Sequence, residues 1–197
     1  MCNLQSSTYF DSLNIQKRLL RNSITNITLA FCLSFVKQNL KHMNMEMRVI
    51  KSPKGDKVKF AIWHGGRKHV AQLRTAKAAV ANMIKGLLVG WQYKMRAVYA
   101  HFPINIIIAG DAKSAEVRNF LGCKQVFRVA MRNGVTIKED KSAKDTVLVE
   151  GNDLDEVSQS AADLHGACLP AIRRFDIRKF LDGVYCQEKT TIVKADE

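Results

Sequence analysis

The chain has 197 residues, of which 47% are hydrophobic, and carries 31 lysines and arginines against 18 acids, for a net charge of +13 and a pI near 9.7. That length and hydrophobic content build a core in one large domain or two small ones. The charge implies a polyanionic partner, nucleic acid or an anionic membrane surface. Five widely spaced cysteines, odd in number and without a CxxC pair, argue against a disulfide framework or a zinc site and for a reducing compartment.

Residues 1–36 differ from the rest. They hold Lys17, Arg18 and Arg21 with one acid, Asp11, and then an apolar run from Ile24 to Val36. That run is interrupted by Asn26 and Thr28 and is too short for a membrane span. It outlines a signal peptide or mitochondrial presequence, but no small-residue cleavage pattern follows. From Lys37 the pattern settles. Alternation over 40–47 predicts a strand, Ser52–Asp56 a turn, and Lys57–Trp63 a second strand. His64-Gly65-Gly66 breaks that strand and leads into a helix. Val80, Met83, Ile84, Leu87 and Leu88 recur on one face of it, with Arg74, Lys77 and Lys85 on the other. Gly90 stops the helix.

Trp91–Val98 then alternates. Trp91, Tyr93, Met95 and Ala97 share one strand face, and Lys94, Arg96 and Val98 the other. Such a strand packs on a core while offering charge to a polyanion. Ile104–Ala109 reads as a buried strand, and Glu116–Phe120, Val126–Val129, Val135–Lys138 and Thr146–Glu150 as further strands. Asp153 is a good N-cap for a helix whose stripe is Val157, Ala161, Leu164 and Ala167/Cys168. Asp182-Gly183 reads as a turn. The strand, glycine break and helix of Lys59–Met83 recur in Val147–Cys168, which makes two domains of similar design the natural expectation.

No residues carry catalysis. The five histidines and five cysteines have no metal-ligand spacing, and Gly65-Gly66-Arg67-Lys68 lacks the GxxxxGK[ST] spacing of a phosphate loop. The aromatic motif of RNA-recognition sheets is absent as well, so phosphate contact rather than base stacking is the expected mode. Cys123 and Cys186 read as fillers of small apolar gaps.

Five blocks in order carry a resemblance: Asn82–Gly86 (NMIKG), Tyr93–Asn105 (YKMRAVYAHFPIN), Asn119–Gly122 (NFLG), Glu150–Asp153 (EGND) and Asp176–Tyr185 (DIRKFLDGVY). Over Lys37–Glu197 the chain resembles the eukaryotic and archaeal form of the large-subunit ribosomal protein six family. Residues 1–36 are an atypical N-terminus that resembles nothing in the family. Three departures are Phe175 for lysine, Cys123 for an acid after NFLG, and a Leu164–Phe175 stretch lengthened by about two residues and containing Pro170.

The resemblance implies an α+β fold of two similar small domains, each a sheet packed against a helix, the first incomplete. The expected boundaries are an extension over 1–36, a first domain over 37–90, a second over 91–187 and a mobile tail over 188–197. It implies a structural constituent of the large ribosomal subunit that binds rRNA through basic loops near the factor-binding region. No enzyme activity, cofactor, metal, membrane or small-molecule substrate is expected. The expected partners are large-subunit rRNA and neighbouring ribosomal proteins, in the cytoplasm with nucleolar transit. The alternative is a degenerate or extraribosomal paralogue acting as an RNA-binding or protein-interaction factor. The expected rRNA-binding residues are Arg174, Arg178, Lys179, Gly183 and Tyr185, with Lys94, Arg96, Lys124, Arg128 and Arg132 as a second tier. Phe180 and Tyr185 are expected to anchor the basic loop.

Overall fold

The computed structural model describes residues 19–23, 26–31, 34–51, 57–140, 143–169 and 180–193. The chain divides into two compact units, Met1–Leu87 and Leu88–Glu197.

In the first unit, β1 (Leu19–Ser23), β2 (Asn26–Phe31) and β3 (Ser34–Asn39) form an antiparallel sheet in that order. The apolar run Ile24–Val36 is therefore strand material: its described residues fall in β2 and β3. The strand expected over 40–47 does not form. Lys41 N–H is bonded to the Asn39 side-chain oxygen and Met43 N–H to the Leu40 carbonyl, so the chain turns there. The strand begins later, as β4 (Glu46–Ile50), paired with β5 (Lys57–Ala61). The expected turn over Ser52–Asp56 lies outside the described residues.

β5 alternates as its sequence demands, with Val58 and Phe60 buried and Lys57, Lys59 and Ala61 half-buried on the other face. The helix α1 (Arg67–Leu88) buries Leu73, Ala76, Val80, Met83 and Leu87, a stripe spaced by three and four residues. Val36, Leu40, Met47, Val58 and Phe60 complete that core. Leu88, given to the stripe by its spacing, is instead exposed. Gly65 is required by packing, since a Cβ there would lie 2.5 Å from Ile62 Cγ2.

The second unit holds a four-stranded antiparallel sheet in the order β10-β11-β6-β12. Its strands are β6 (Trp91–Val98), β10 (Val135–Glu139), β11 (Thr146–Gly151) and β12 (Gly183–Thr191). A second antiparallel sheet runs β7 (Asn105–Ile108), β8 (Ser114–Arg118), β9 (Phe127–Ala130). The helix α2 (Leu154–Gly166) packs on β6, β11 and β12. Asp153 caps it, its side chain accepting from Asp155 N–H at 3.1 Å.

The core joins Tyr93, Met95 and Ala97 of β6 to Val147 and Val149, to Val157, Ala161 and Leu164 of α2, and to Ala115, Val117, Phe120, Phe127 and Val129. The α+β class, with helices on antiparallel sheets, is as the sequence implies.

Several local expectations are corrected. The run 104–109 is not a buried strand. Ile104 is buried ahead of β7, but β7 is an edge strand whose Asn105 and Ile107 face outward. Phe120 leaves the β8 line for a short 3-10 turn, Phe120–Gly122, because Asn119, Leu121 and Gly122 all adopt positive φ. Asp182-Gly183 is no turn, since Gly183 is already the first residue of β12. β12 also continues past 187, pairing Glu188 to Thr191 with β6, so those residues of the expected tail are strand. Cys186 is exposed and fills no apolar gap, whereas Cys168 is buried.

Candidate nucleic-acid interface

The face of β6 turned away from the core carries Gln92, Lys94, Arg96 and Val98. A chain of hydrogen bonds crosses all four strands there. Lys138 Nζ on β10 meets Glu150 Oε2 on β11 at 2.7 Å. Gln92 Nε2 on β6 donates to Glu150 Oε1 at 2.8 Å, and Thr190 Oγ1 on β12 donates to Gln92 Oε1 at 3.1 Å. Beside this chain, Lys94 Nζ lies 2.9 Å from Asp140, a carboxylate with a largely covered side chain. Lys94 and Lys138 are thus neutralised within the fold. Arg96, opposite Tyr185 across the β6–β12 pair, is exposed and has no carboxylate within ion-pair distance among the described residues.

The start of β12 is clamped to the end of β6. Asp182 is only 5% exposed, and its Oδ1 accepts from Ala100 N–H at 3.0 Å. The buried Gly183 leaves room for a ring, because a Cβ there would stand 3.1–3.2 Å from the Tyr185 ring and hydroxyl. His165 Nδ1 lies 2.7 Å from the Val184 carbonyl. That oxygen can only accept, so Nδ1 carries the proton. The His165 and Tyr185 rings are 5.3 Å apart. Gly183 and Tyr185 therefore sit where β12 is held to β6 and α2, and the basic loop that Tyr185 is expected to anchor lies outside the described residues. Phe180 and Leu181, just before, are exposed. Arg174, Arg178 and Lys179 lie outside the described residues.

The outer face of β7–β8–β9 presents a second basic group. Glu116 sits centrally on β8. Arg118 donates to its Oε2 from Nη2 at 2.6 Å and from Nε at 3.1 Å. Arg128, on β9 opposite Glu116, donates from Nε to Oε1 at 3.0 Å. The Arg118 guanidinium, and after it that of Arg128, holds the Glu116 carboxyl below its ordinary range. Lys124, in the loop before β9, is exposed with no ion pair among the described residues. Arg132 Nε is 3.3 Å from Asp163, and its backbone N–H donates to Ser160 Oγ.

Seven of the ten expected residues are described, and these do not share one face. The described ones divide between the β6/β12 face, the β8/β9 face and the end of α2 approached by Arg132. Sequence reasoning missed Arg118, Glu116, Asp182 and His165. The alternation Glu116-Val117-Arg118 was legible and places two charges on one face. The register that brings Arg128 opposite them was not.

Among the described residues no cluster of His, Cys, Asp and Glu could hold a metal, and no helix is long and apolar enough to cross a membrane. No family model matches the chain. It is similar to large ribosomal subunit protein uL6A of Saccharomyces cerevisiae, 48% identical over 159 residues, which cover 80% of this chain and 81% of that protein. It is 42% identical over 172 residues to uL6A of Schizosaccharomyces pombe, covering 87% of each chain. That stretch is longer than the chain from Lys37 onward, so the likeness reaches into the first 36 residues and corrects the expectation that they resemble nothing in the family. Large ribosomal subunit protein uL6 of Ignicoccus hospitalis is 36% identical over 141 residues, 72% of each chain.

Proposed function

The chain belongs to the uL6 family of large ribosomal subunit proteins, and on that premise we propose that it is a non-catalytic structural constituent of the large subunit that holds rRNA through backbone contacts. The carrying observation is the 48% identity over four-fifths of both chains to the yeast protein. The geometry supports a phosphate-binding mode. Exposed guanidiniums and ammoniums stand on strands and their loops, where they can reach phosphate oxygens.

Arg96 and Lys124 are the described candidates from the sequence reading whose charge is not matched by a carboxylate among the described residues. Arg174, Arg178 and Lys179 are proposed as further contacts. The partners in this reading are large-subunit rRNA and neighbouring ribosomal proteins. The place is the cytoplasmic ribosome near the docking region of the translational GTPases, reached through nucleolar assembly.

Sucrose-gradient sedimentation of the tagged full chain tests this. The expected result is co-migration with large subunits and polysomes that survives high salt. Migration only at the top of the gradient would overturn the structural role.

A further inference from the structure

The triad Arg118–Glu116–Arg128 contains more organisation than a solvated face needs. Two guanidiniums on neighbouring strands repel, and one carboxylate holds both, one on each oxygen. The group keeps a net positive charge. Its arginine side chains remain 49% and 80% exposed while the carboxylate between them is 26% exposed. Arg118 uses Nε and one N–H of Nη2 on Glu116, which leaves Nη1 and the second N–H of Nη2 as donors. Arg128 uses Nε and leaves both terminal nitrogens. The remaining donors belong to exposed side chains on the outer face of β7–β8–β9, where the outward-facing Asn105 is the cross-strand partner of Arg118.

We propose that Glu116 is a positioning residue that fixes Arg118 and Arg128 as a two-armed clamp for a single phosphodiester of an RNA strand crossing the outer face of β7–β8–β9. This rests on the RNA-binding reading above and adds a contact residue, Arg118, and a device for fixing it. Charge complementarity selects the occupant. In a chain of net charge +13, a net-cationic pair of forked donors fits a phosphate oxygen pair. The role of Glu116 is to remove the repulsion and rotamer freedom that two free arginines would carry into the complex.

The clamp and plain electrostatics predict opposite effects of removing the acid. Plain electrostatics predicts that Glu116→Gln, which adds one net positive charge, tightens binding to any RNA. The clamp predicts weaker binding to cognate RNA by about tenfold, the cost of immobilising two side chains on contact. It also predicts that Glu116→Asp restores part of the loss.

The test uses the full chain with a large-subunit rRNA transcript and an unrelated RNA of equal length, titrated across salt. Arg118→Gln and Arg128→Gln should each reduce the slope of log affinity against log salt by about one. The double variant should reduce it no further than about one, because the two arms share one phosphate. Three results would overturn the clamp: Glu116→Gln tightening both RNAs alike, slopes unchanged in the arginine variants while Arg96→Gln lowers its own, or a double variant losing about two. A wild-type chain with no salt-dependent affinity for either RNA would defeat the RNA-binding reading itself, and the clamp with it.

Discussion

Replacing Asp182 by alanine should uncouple the start of β12 from the end of β6. The carboxylate is 5% exposed and its Oδ1 holds Ala100 N–H at 3.0 Å. A hydrogen bond to a charged acceptor is worth about 1.5–3 kcal/mol. Ala100 lies at an exposed position, so water can recover part of the orphaned donor, and the lower end of that range, about 1.5 kcal/mol, is the expected loss. Asp182→Asn keeps a carbonyl acceptor at the same place and should lose about half as much. The chain has two tryptophans. Trp63 is exposed in the first unit, and Trp91 packs against the core of the second. In a Trp63→Phe background, Trp91 fluorescence therefore reports unfolding of the unit that contains the anchor. With a urea slope of about 1.5 kcal/mol per molar, the alanine variant should unfold about 1 M earlier. The reasoning fails if the alanine midpoint moves by less than about 0.2 M, or if asparagine costs as much as alanine.

Two further predictions concern packing and pH. Gly151→Ala places a Cβ 2.7 Å from Val157 Cγ2 and 3.1 Å from the Gly134 carbonyl, so it should destabilise by about 1–3 kcal/mol. Thermal unfolding at wild-type temperature would contradict that. The Tyr99 hydroxyl donates to Asp145 at 2.9 Å, and that bond to a carboxylate raises the phenol above its ordinary value of 10. A phenol raised in the folded state contributes stability that is complete below the unfolded value and is lost as pH climbs through the folded one. Asp145→Asn should therefore flatten the alkaline fall in stability. It should also bring one tyrosinate transition at 295 nm back toward 10, and a transition unmoved by Asp145→Asn would remove the premise.

What the sequence makes legible is whatever depends on neighbours within one segment. The two faces of β6 follow from strict alternation, and Tyr93, Met95 and Ala97 are buried as that alternation requires. The cap at Asp153 and the buried stripe of α2 follow from spacing alone. What depends on a partner segment is not legible. Ile106, Ile107 and Ile108 are as apolar as any core strand, yet β7 has one neighbour and half faces outward. His42, Met43 and Asn44 alternate acceptably, but the Asn39 side chain and the Leu40 carbonyl capture the backbone first and turn it. The strand at 188–191 carries no apolar alternation. It forms because β6 offers a paired edge as far as Trp91.

The same distinction governs the charges. From Trp91 onward the chain carries 16 bases and 15 acids, which reads in sequence as near neutrality with a basic front and an acidic back. The structure folds the back onto the front. Asp140 takes Lys94, Glu150 takes Lys138, Asp163 takes Arg132, and Glu116 takes two arginines at once. Apart from Glu116 and Arg118, which share a strand face by alternation, each of those acids lies near its base only through sheet register or helix packing. Half of the described bases of this unit then have a carboxylate partner, and Arg96 and Lys124 are among those that do not. Repulsion in a strongly basic chain opposes folding before any polyanion arrives. Matching bases that lie over the sheet with acids relieves that repulsion and leaves the unmatched cations to the RNA. The net charge of a segment thus says little about which of its lysines reach a phosphate. The pairing inside the fold decides that, and in Glu116 the pairing itself becomes the means of presenting two arginines together.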